Sequence, residues 1–189
     1  MKLLKWKYLP YLAAGVLILV YLLLQLLGRD PGRSALPDLI TLLLPGALLI
    51  FFGALAAASD IREKRVSNSL ILAMLGAWIV VMMPRLFLYT EDAVPELLDS
   101  ALGFGVSGVL MLLVYLVSRK GMGGADVKFM AAAGLYLGLR GGLTTLLIGS
   151  VLAAVACGIL LLLKKLSRQD SIPLIPFLFL GILFSLYTR

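Results

Sequence analysis

The sequence contains no histidine and a single cysteine. Without imidazole there is no Ser-His or Cys-His couple, no HExxH zinc peptidase and little scope for an imidazole proton relay. One thiol, Cys157, cannot close an internal disulfide or build a zinc site, and its place in an apolar run reads as a small buried residue. Charge is scarce as well: 14% of residues are charged, against about a quarter in soluble domains. What fills the gap is apolar, 61% hydrophobic residues with a mean hydropathy of +1.05. A soluble chain of 189 residues has a core to bury, but not one large enough to hide this much apolar surface. There is no basic stripe interleaved with aromatics, so nucleic acid is not an expected partner. No cofactor or metal is expected.

The apolar residues fall into runs that only a bilayer solvates. Spans are expected at Tyr8–Leu27, about Leu39–Ala58, Ser69–Tyr89, Leu97–Val117, Asp126–Leu139, Gly142–Leu163 and Ile172–Tyr187. The first is long for a signal-peptide core, and Gly28-Arg29-Asp30-Pro31 is no small-residue cleavage site, so it reads as a retained span. The expectation is an all-α, polytopic helical membrane protein of about seven transmembrane helices in a single domain, 1–189. Residues 1–38 form a first span and loop, and 39–189 the remainder. Basic residues alternate with the spans. Twelve lie in one set of segments (Lys2, Lys5, Lys7; Arg62, Lys64, Arg65; Arg119, Lys120, Lys128; Lys164, Lys165, Arg168) and five in the other (Arg29, Arg33, Arg85, Arg140, Arg189). Basic loops stay in the cytoplasm, which places the N-terminus there and makes anionic membrane lipids the natural partner of these clusters. Four acidic residues, Glu91, Asp92, Glu96 and Asp99, gather in one expected outward loop.

Two aspartates stand out on the cytoplasmic side. Asp60 closes the second span, and Asp126 opens the fifth after Gly121-Met122-Gly123-Gly124-Ala125. Carboxylates that meet across helices cannot both ionise cheaply, so they share a proton, and such a pair activates water with one member while the other donates a hydrogen bond. The plainer reading makes Asp126 a helix N-cap and Asp60 a solvated residue beside Arg62 and Lys64. However, a carboxylate at a helix C-terminus opposes the helix dipole, so local physics does not favour Asp60 where it is. The fifth span is short: about 14 residues at ~1.5 Å each reach ~21 Å, less than a hydrocarbon core of ~30 Å. Part of that segment, with Gly121, Gly123 and Gly124, is expected below the membrane surface, bending tightly and leaving room for a substrate backbone.

Other motifs carry less. Gly103-Phe104-Gly105-Val106-Ser107-Gly108 fits GxGxxG but lies within a span, with no strand before it, which rules out a nucleotide loop. Gly134 with Gly138, and Ala154 with Gly158, have the spacing of close helix packing within the chain.

The aspartate segments resemble those of the type IV prepilin peptidases. Asp60-Ile61-Arg62-Glu63-Lys64-Arg65-Val66-Ser67-Asn68 is similar to that family's first motif, where Asp is followed by basic residues and Pro-Asn. Gly121-Met122-Gly123-Gly124-Ala125-Asp126-Val127-Lys128, with the Ala131–Gly134 run and Gly138 downstream, is similar to its second, the GxGD segment. Ile172-Pro173-Leu174-Ile175-Pro176-Phe177 resembles the proline-bearing start of the last helix. The likeness covers roughly Leu39 to the C-terminus. Ala125 stands where the family has glycine, and Ser67 where it has proline. The resemblance implies a membrane aspartic endopeptidase of the bacterial cytoplasmic membrane, with Asp60 and Asp126 catalytic. Gly121, Gly123, Gly124, Ala125, Lys128 and Asn68 would bind substrate or shape the loops. Its partners would be pilin-like or pseudopilin precursors, recognised by a basic leader peptide and an apolar N-terminal helix. The paired CxxC motifs of larger members do not occur in this sequence, so N-methylation is not expected. The residues themselves leave two rivals: a small proton- or cation-coupled transporter, and an inactive assembly subunit of a pilus or secretion system.

Overall fold

The computed structural model describes the backbone of residues 2–27, 36–118, 122–163 and 173–188, and within these the side chains of 9–25 and of 43 onward, Leu88 excepted. Every regular element among them is an α-helix: α1 Lys2–Leu27, α2 Leu36–Glu63, α3 Asn68–Leu88, α4 Thr90–Val117, α5 Gly124–Leu162 and α6 Ile175–Tyr187. Among the described residues four stretches are long and apolar enough to cross a membrane: Leu43–Glu63, Asn68–Phe87, Thr90–Val117 and Gly124–Leu162. Leu9–Gln25 and Ile175–Tyr187 are shorter apolar helices. The chain is a multi-pass helical membrane protein.

The expected fifth and sixth spans appear as the single element α5, broken at Gly138 (φ 67°, ψ −173°). The break is a reversal of direction. A side chain at Gly142 would lie 3.8 Å from the Cα of Gly134, whereas eight residues of straight helix span about 12 Å. The two limbs, 124–137 and 139–162, are therefore antiparallel, which makes seven helical segments among the described residues. Asp99 of α4 completes the turn, its Oδ1 accepting from the Leu139 N–H at 3.1 Å. That bond satisfies an amide that the broken ladder leaves without a carbonyl.

Small residues let these segments approach. A side chain at Gly103 of α4 would strike the Gly134 carbonyl oxygen and the Gly138 backbone, and one at Gly142 the Ser107 hydroxyl. The GxGxxG run thus serves as a packing face for both limbs of α5. Along the second limb Gly141, Thr145 and Gly149 meet Ser185, Gly181 and Phe177–Leu178 of α6 in antiparallel order. In a membrane such close van der Waals packing replaces a hydrophobic driving force. On the other side Phe179 of α6 fills the space at Gly53 of α2, and Tyr21 of α1 that at Gly46.

Four expectations need correction. The acidic cluster is not a loop: Glu91, Asp92, Glu96 and Asp99 lie in the first turns of α4, where their charge suits the helix N-terminus. Glu96 also pairs with Arg85 of α3 at 2.5 Å across the α3–α4 turn. Helix α2 does not stop at Ala58 but continues through Asp60 to Glu63, where Lys64 takes a left-handed conformation (φ 49°) and reverses the chain. Cys157 is only half-buried, not a core residue. Nor does the Ala154–Gly158 pair pack against the described residues, for Ala154 is exposed and a side chain at Gly158 would meet none of them. Lipid is as apolar as leucine, so small residues on a lipid-facing helix carry the same pattern as an interface. Arg119, Lys120, Gly121 and the segment from Lys164 to Ile172 lie outside the described residues.

Candidate active site

Three helix ends converge at the end of the bundle opposite the Gly138 turn: the last turn of α2, the start of α5 and the start of α6. Asp60 is 6% exposed and Asp126 7%. Carboxylates so enclosed need polar partners, since an unpaired buried charge is costly. Asp60 has one from α6, whose Ile175 N–H donates to Oδ2 at 3.1 Å. Pro176 follows as a residue with no N–H to satisfy, at a position where a helix has no intrahelical acceptor for one. The Asp60 backbone carbonyl accepts from Lys64 N–H at 2.9 Å, and the Lys64 charge acts on the Asp60 carboxylate.

Asp126 sits three residues past Gly123, the N-cap of α5. The Gly123 N–H donates to Asp126 Oδ2 at 3.1 Å, and the Asp126 N–H donates back to the Gly123 carbonyl, also at 3.1 Å. The first bond is the half of a capping box that an acid at N3 supplies; glycine has no side chain to return the other half, and the second is a backbone bond of the first turn. Asp126 is thus a helix-start residue, as the plainer reading held, and at the same time close enough to Asp60 for the Asp60 charge to act on it. The Oδ1 atoms of both carboxylates take no part in these bonds.

The expected loop-shaping residues divide. Gly123 is extended with an ordinary φ of −83°, and Gly124 is already helical. Neither needs a conformation that only glycine adopts, so the tight bend expected here is absent from the described part. A side chain on Gly123 would touch Asp126 Oδ2 at 3.5 Å, whereas none of the described residues lies within 4 Å of where one on Gly124 would begin. Ala125 is half-buried against the core cluster. Ser67, in place of the family's proline, caps α3 by accepting from the Ser69 N–H at 3.2 Å. Asn68 opens α3, and its Oδ1 accepts from Lys128 Nζ at 3.1 Å. Lys128 therefore reaches to the α2–α3 corner. Sequence reasoning did not anticipate Ile175, because a backbone donor has no residue signature; the nearby Ile-Pro pattern was the available signal.

Among the described residues no three His, Cys, Asp or Glu side chains gather as a metal site. An open cleft of about 620 Å³, lined by Asp99, Arg140, Thr144, Ser185 and Thr188 among others, lies at the Gly138 end and contains neither aspartate.

No solved structure matches the chain. Among curated proteins it is 35% identical over 120 residues to a prepilin leader peptidase/N-methyltransferase of Xanthomonas campestris pv. campestris, a stretch covering 63% of this chain and 41% of that protein. It is 29% identical over 136 residues to a protein of the same name from Stutzerimonas stutzeri, covering 70% of this chain and 46% of the relative. The chain thus matches less than half the length of these relatives. The model of the type IV leader peptidase family matches residues 47–159. That match takes in more than half of the chain and both buried aspartates, and the chain belongs to the type IV leader peptidase family.

Proposed function

We propose that the protein is a membrane aspartic endopeptidase that removes basic leader peptides from pilin-like or pseudopilin precursors, with Asp60 and Asp126 as its catalytic pair. The observation that carries this reading is the burial of two carboxylates on separate helices, with the Asp60 charge acting on Asp126, inside a family of leader peptidases. Two like charges so placed favour the state that holds one proton between them. The ionised member draws a proton from water. The protonated member polarises the scissile carbonyl, and the tetrahedral intermediate collapses as a proton passes to the leaving amine. Each aspartate is fixed through Oδ2 by a backbone N–H, and its Oδ1 is the atom that would meet water or carbonyl. The open space beside Gly124 suits an extended peptide approaching Asp126.

The basic clusters support a cytoplasmic placement of this end, in a bacterial inner membrane, with anionic lipid beside them. Small-residue helix faces would receive the apolar segment of the precursor. Methyl transfer to the new N-terminus is outside the proposed activity of these residues.

The test is precursor processing by the purified protein. Asp60→Asn and Asp126→Asn keep side-chain size but remove a titrating carboxylate. Each should lower cleavage on the order of 10³-fold or more, and the double variant should be little worse, because residues acting as a unit are not additive. Asp92→Asn, exposed at the other end, is the control and should retain activity. Substantial cleavage by well-folded Asp60→Asn or Asp126→Asn protein would remove the catalytic pair and return the transporter and assembly-subunit readings.

A further inference from the structure

We propose that Asn68 and Lys128 form a latch across the rim of this site, positioning the two aspartates rather than touching substrate. The inference rests on the proteolytic reading and adds the elements that hold its geometry.

The connection is a closed loop of short rigid links. Asp60 lies three residues before the end of α2. The chain then turns at once, with Lys64 left-handed and its N–H on the Asp60 carbonyl at 2.9 Å. Val66 is buried and Ser67 caps α3, so the corner has little freedom between Asp60 and Asn68. On the other side Lys128 is two helical residues past Asp126. The 3.1 Å bond from Lys128 Nζ to Asn68 Oδ1 joins residues 60 apart in sequence and fastens the α2–α3 corner to the start of α5. The two carboxylates inside this loop repel when both are ionised, which pushes their helices apart. A tether on the rim opposes that motion.

Both side chains are exposed, so the bond contributes little to stability. Misplacement of reacting groups by about 1 Å can nevertheless cost about 10²-fold in rate. The latch should therefore be visible in turnover and nearly silent in melting.

Asn68→Leu and Lys128→Met remove the bond while keeping side-chain size. Each should lower kcat about tenfold with KM unchanged, since only transition-state geometry is lost. The double variant should match either single one. Asn68→Asp, which keeps an acceptor, and Lys128→Arg, which keeps a donor, should restore most of the rate. Asn68→Leu leaves the lysine charge in place, so its loss separates the latch from a simple field effect. A second readout does not need activity. Nitroxides on Arg65→Cys and Gly124→Cys, in a Cys157→Ala background, report the gap between the corner and α5. Their distance distribution should broaden with Asn68→Leu and narrow again with Asn68→Asp.

Unchanged kcat in both single variants, a rise in KM alone, or additive losses in the double variant would each overturn the latch. If the unaltered protein cleaves no precursor, the proteolytic reading fails on its own. The distances then decide: broadening that Asn68→Asp reverses supports the latch as a spacer, and an unchanged distribution refutes it.

Discussion

Replacing Gly138 by alanine tests the reversal within α5, on which the order of the last three segments depends. At φ 67° and ψ −173° the residue lies in a region essentially confined to glycine, where another residue costs about 1–3 kcal/mol. The added methyl would also strike the Asp99 carboxylate, with the nearest oxygen in hard overlap and Cγ at 2.8 Å. That carboxylate must swing away, breaking its bond to the Leu139 N–H. A bond of that kind, at a helix N-terminus and half-exposed, contributes about 1–2 kcal/mol. Together Gly138→Ala should destabilise the fold by roughly 2–5 kcal/mol. Asp99→Ala alone should cost only the cap, about 1–2 kcal/mol. In that background the clash has gone, so Gly138→Ala should cost only the backbone term, about 1–3 kcal/mol. Equilibrium unfolding in mixed micelles, across the four proteins of this cycle, measures each quantity. A loss below about 1 kcal/mol for Gly138→Ala would refute the reversal, because an α5 running straight through residue 138 would favour alanine over glycine.

Other consequences follow from particular contacts. The half-buried Arg85–Glu96 pair should make Arg85→Met destabilising by about 1–3 kcal/mol, and Arg85→Glu with Glu96→Arg should recover part of it in the same assay. Ser107 and Thr145 have buried hydroxyls with no hydrogen-bond partner among the described residues. Thr145→Val should therefore be neutral or stabilising by about 1 kcal/mol in thermal unfolding. In intact cells, Cys157→Ala protein with a single cysteine at Lys64 should resist impermeant thiol reagents, and one with cysteine at Glu91 should react. The reverse pattern would invert the topology.

Sequence periodicity and run length revealed the helices because a bilayer demands long apolar stretches whose ends are polar. The same patterning could not tell protein-facing from lipid-facing surfaces. Ala154 and Gly158 look like Gly134 and Gly138 on paper, yet only the second pair meets a neighbour. The helical start of α4 was legible but read otherwise: Thr90-Glu91-Asp92 is an acidic first turn, the usual N-terminal signal. Hydropathy alone assigned it to a loop. At the candidate site, Asp60 and Asp126 were conspicuous as carboxylates at the edges of apolar runs. Asn68 and Lys128 were legible as motif residues but not as partners, since a bond spanning 60 residues leaves no local pattern. The Ile175 amide was invisible for the same reason, compounded by its being backbone.

The two ends of the bundle put carboxylates to opposite uses, and the contrast bears on why a histidine-free chain keeps Asp60 and Asp126 so enclosed. At the Gly138 end, Asp99 is taken up by structure: one oxygen caps the Leu139 amide and the other packs on the glycine. At the other end each aspartate accepts one backbone N–H through Oδ2. Fixing a carboxylate through a single oxygen sets its orientation without spending its remaining acceptor capacity. The donor to Asp60 belongs to α6, and α6 is registered against the second limb of α5 by the seam from Gly141 through Thr145 to Gly149. The orientation of Asp60 is therefore tied to small residues far from it along the chain. A bulky substitution at Gly149, which would press on the Leu178 backbone one turn into α6, should disturb Asp60 through the Ile175 amide while leaving Asp126 and its cap on Gly123 in place.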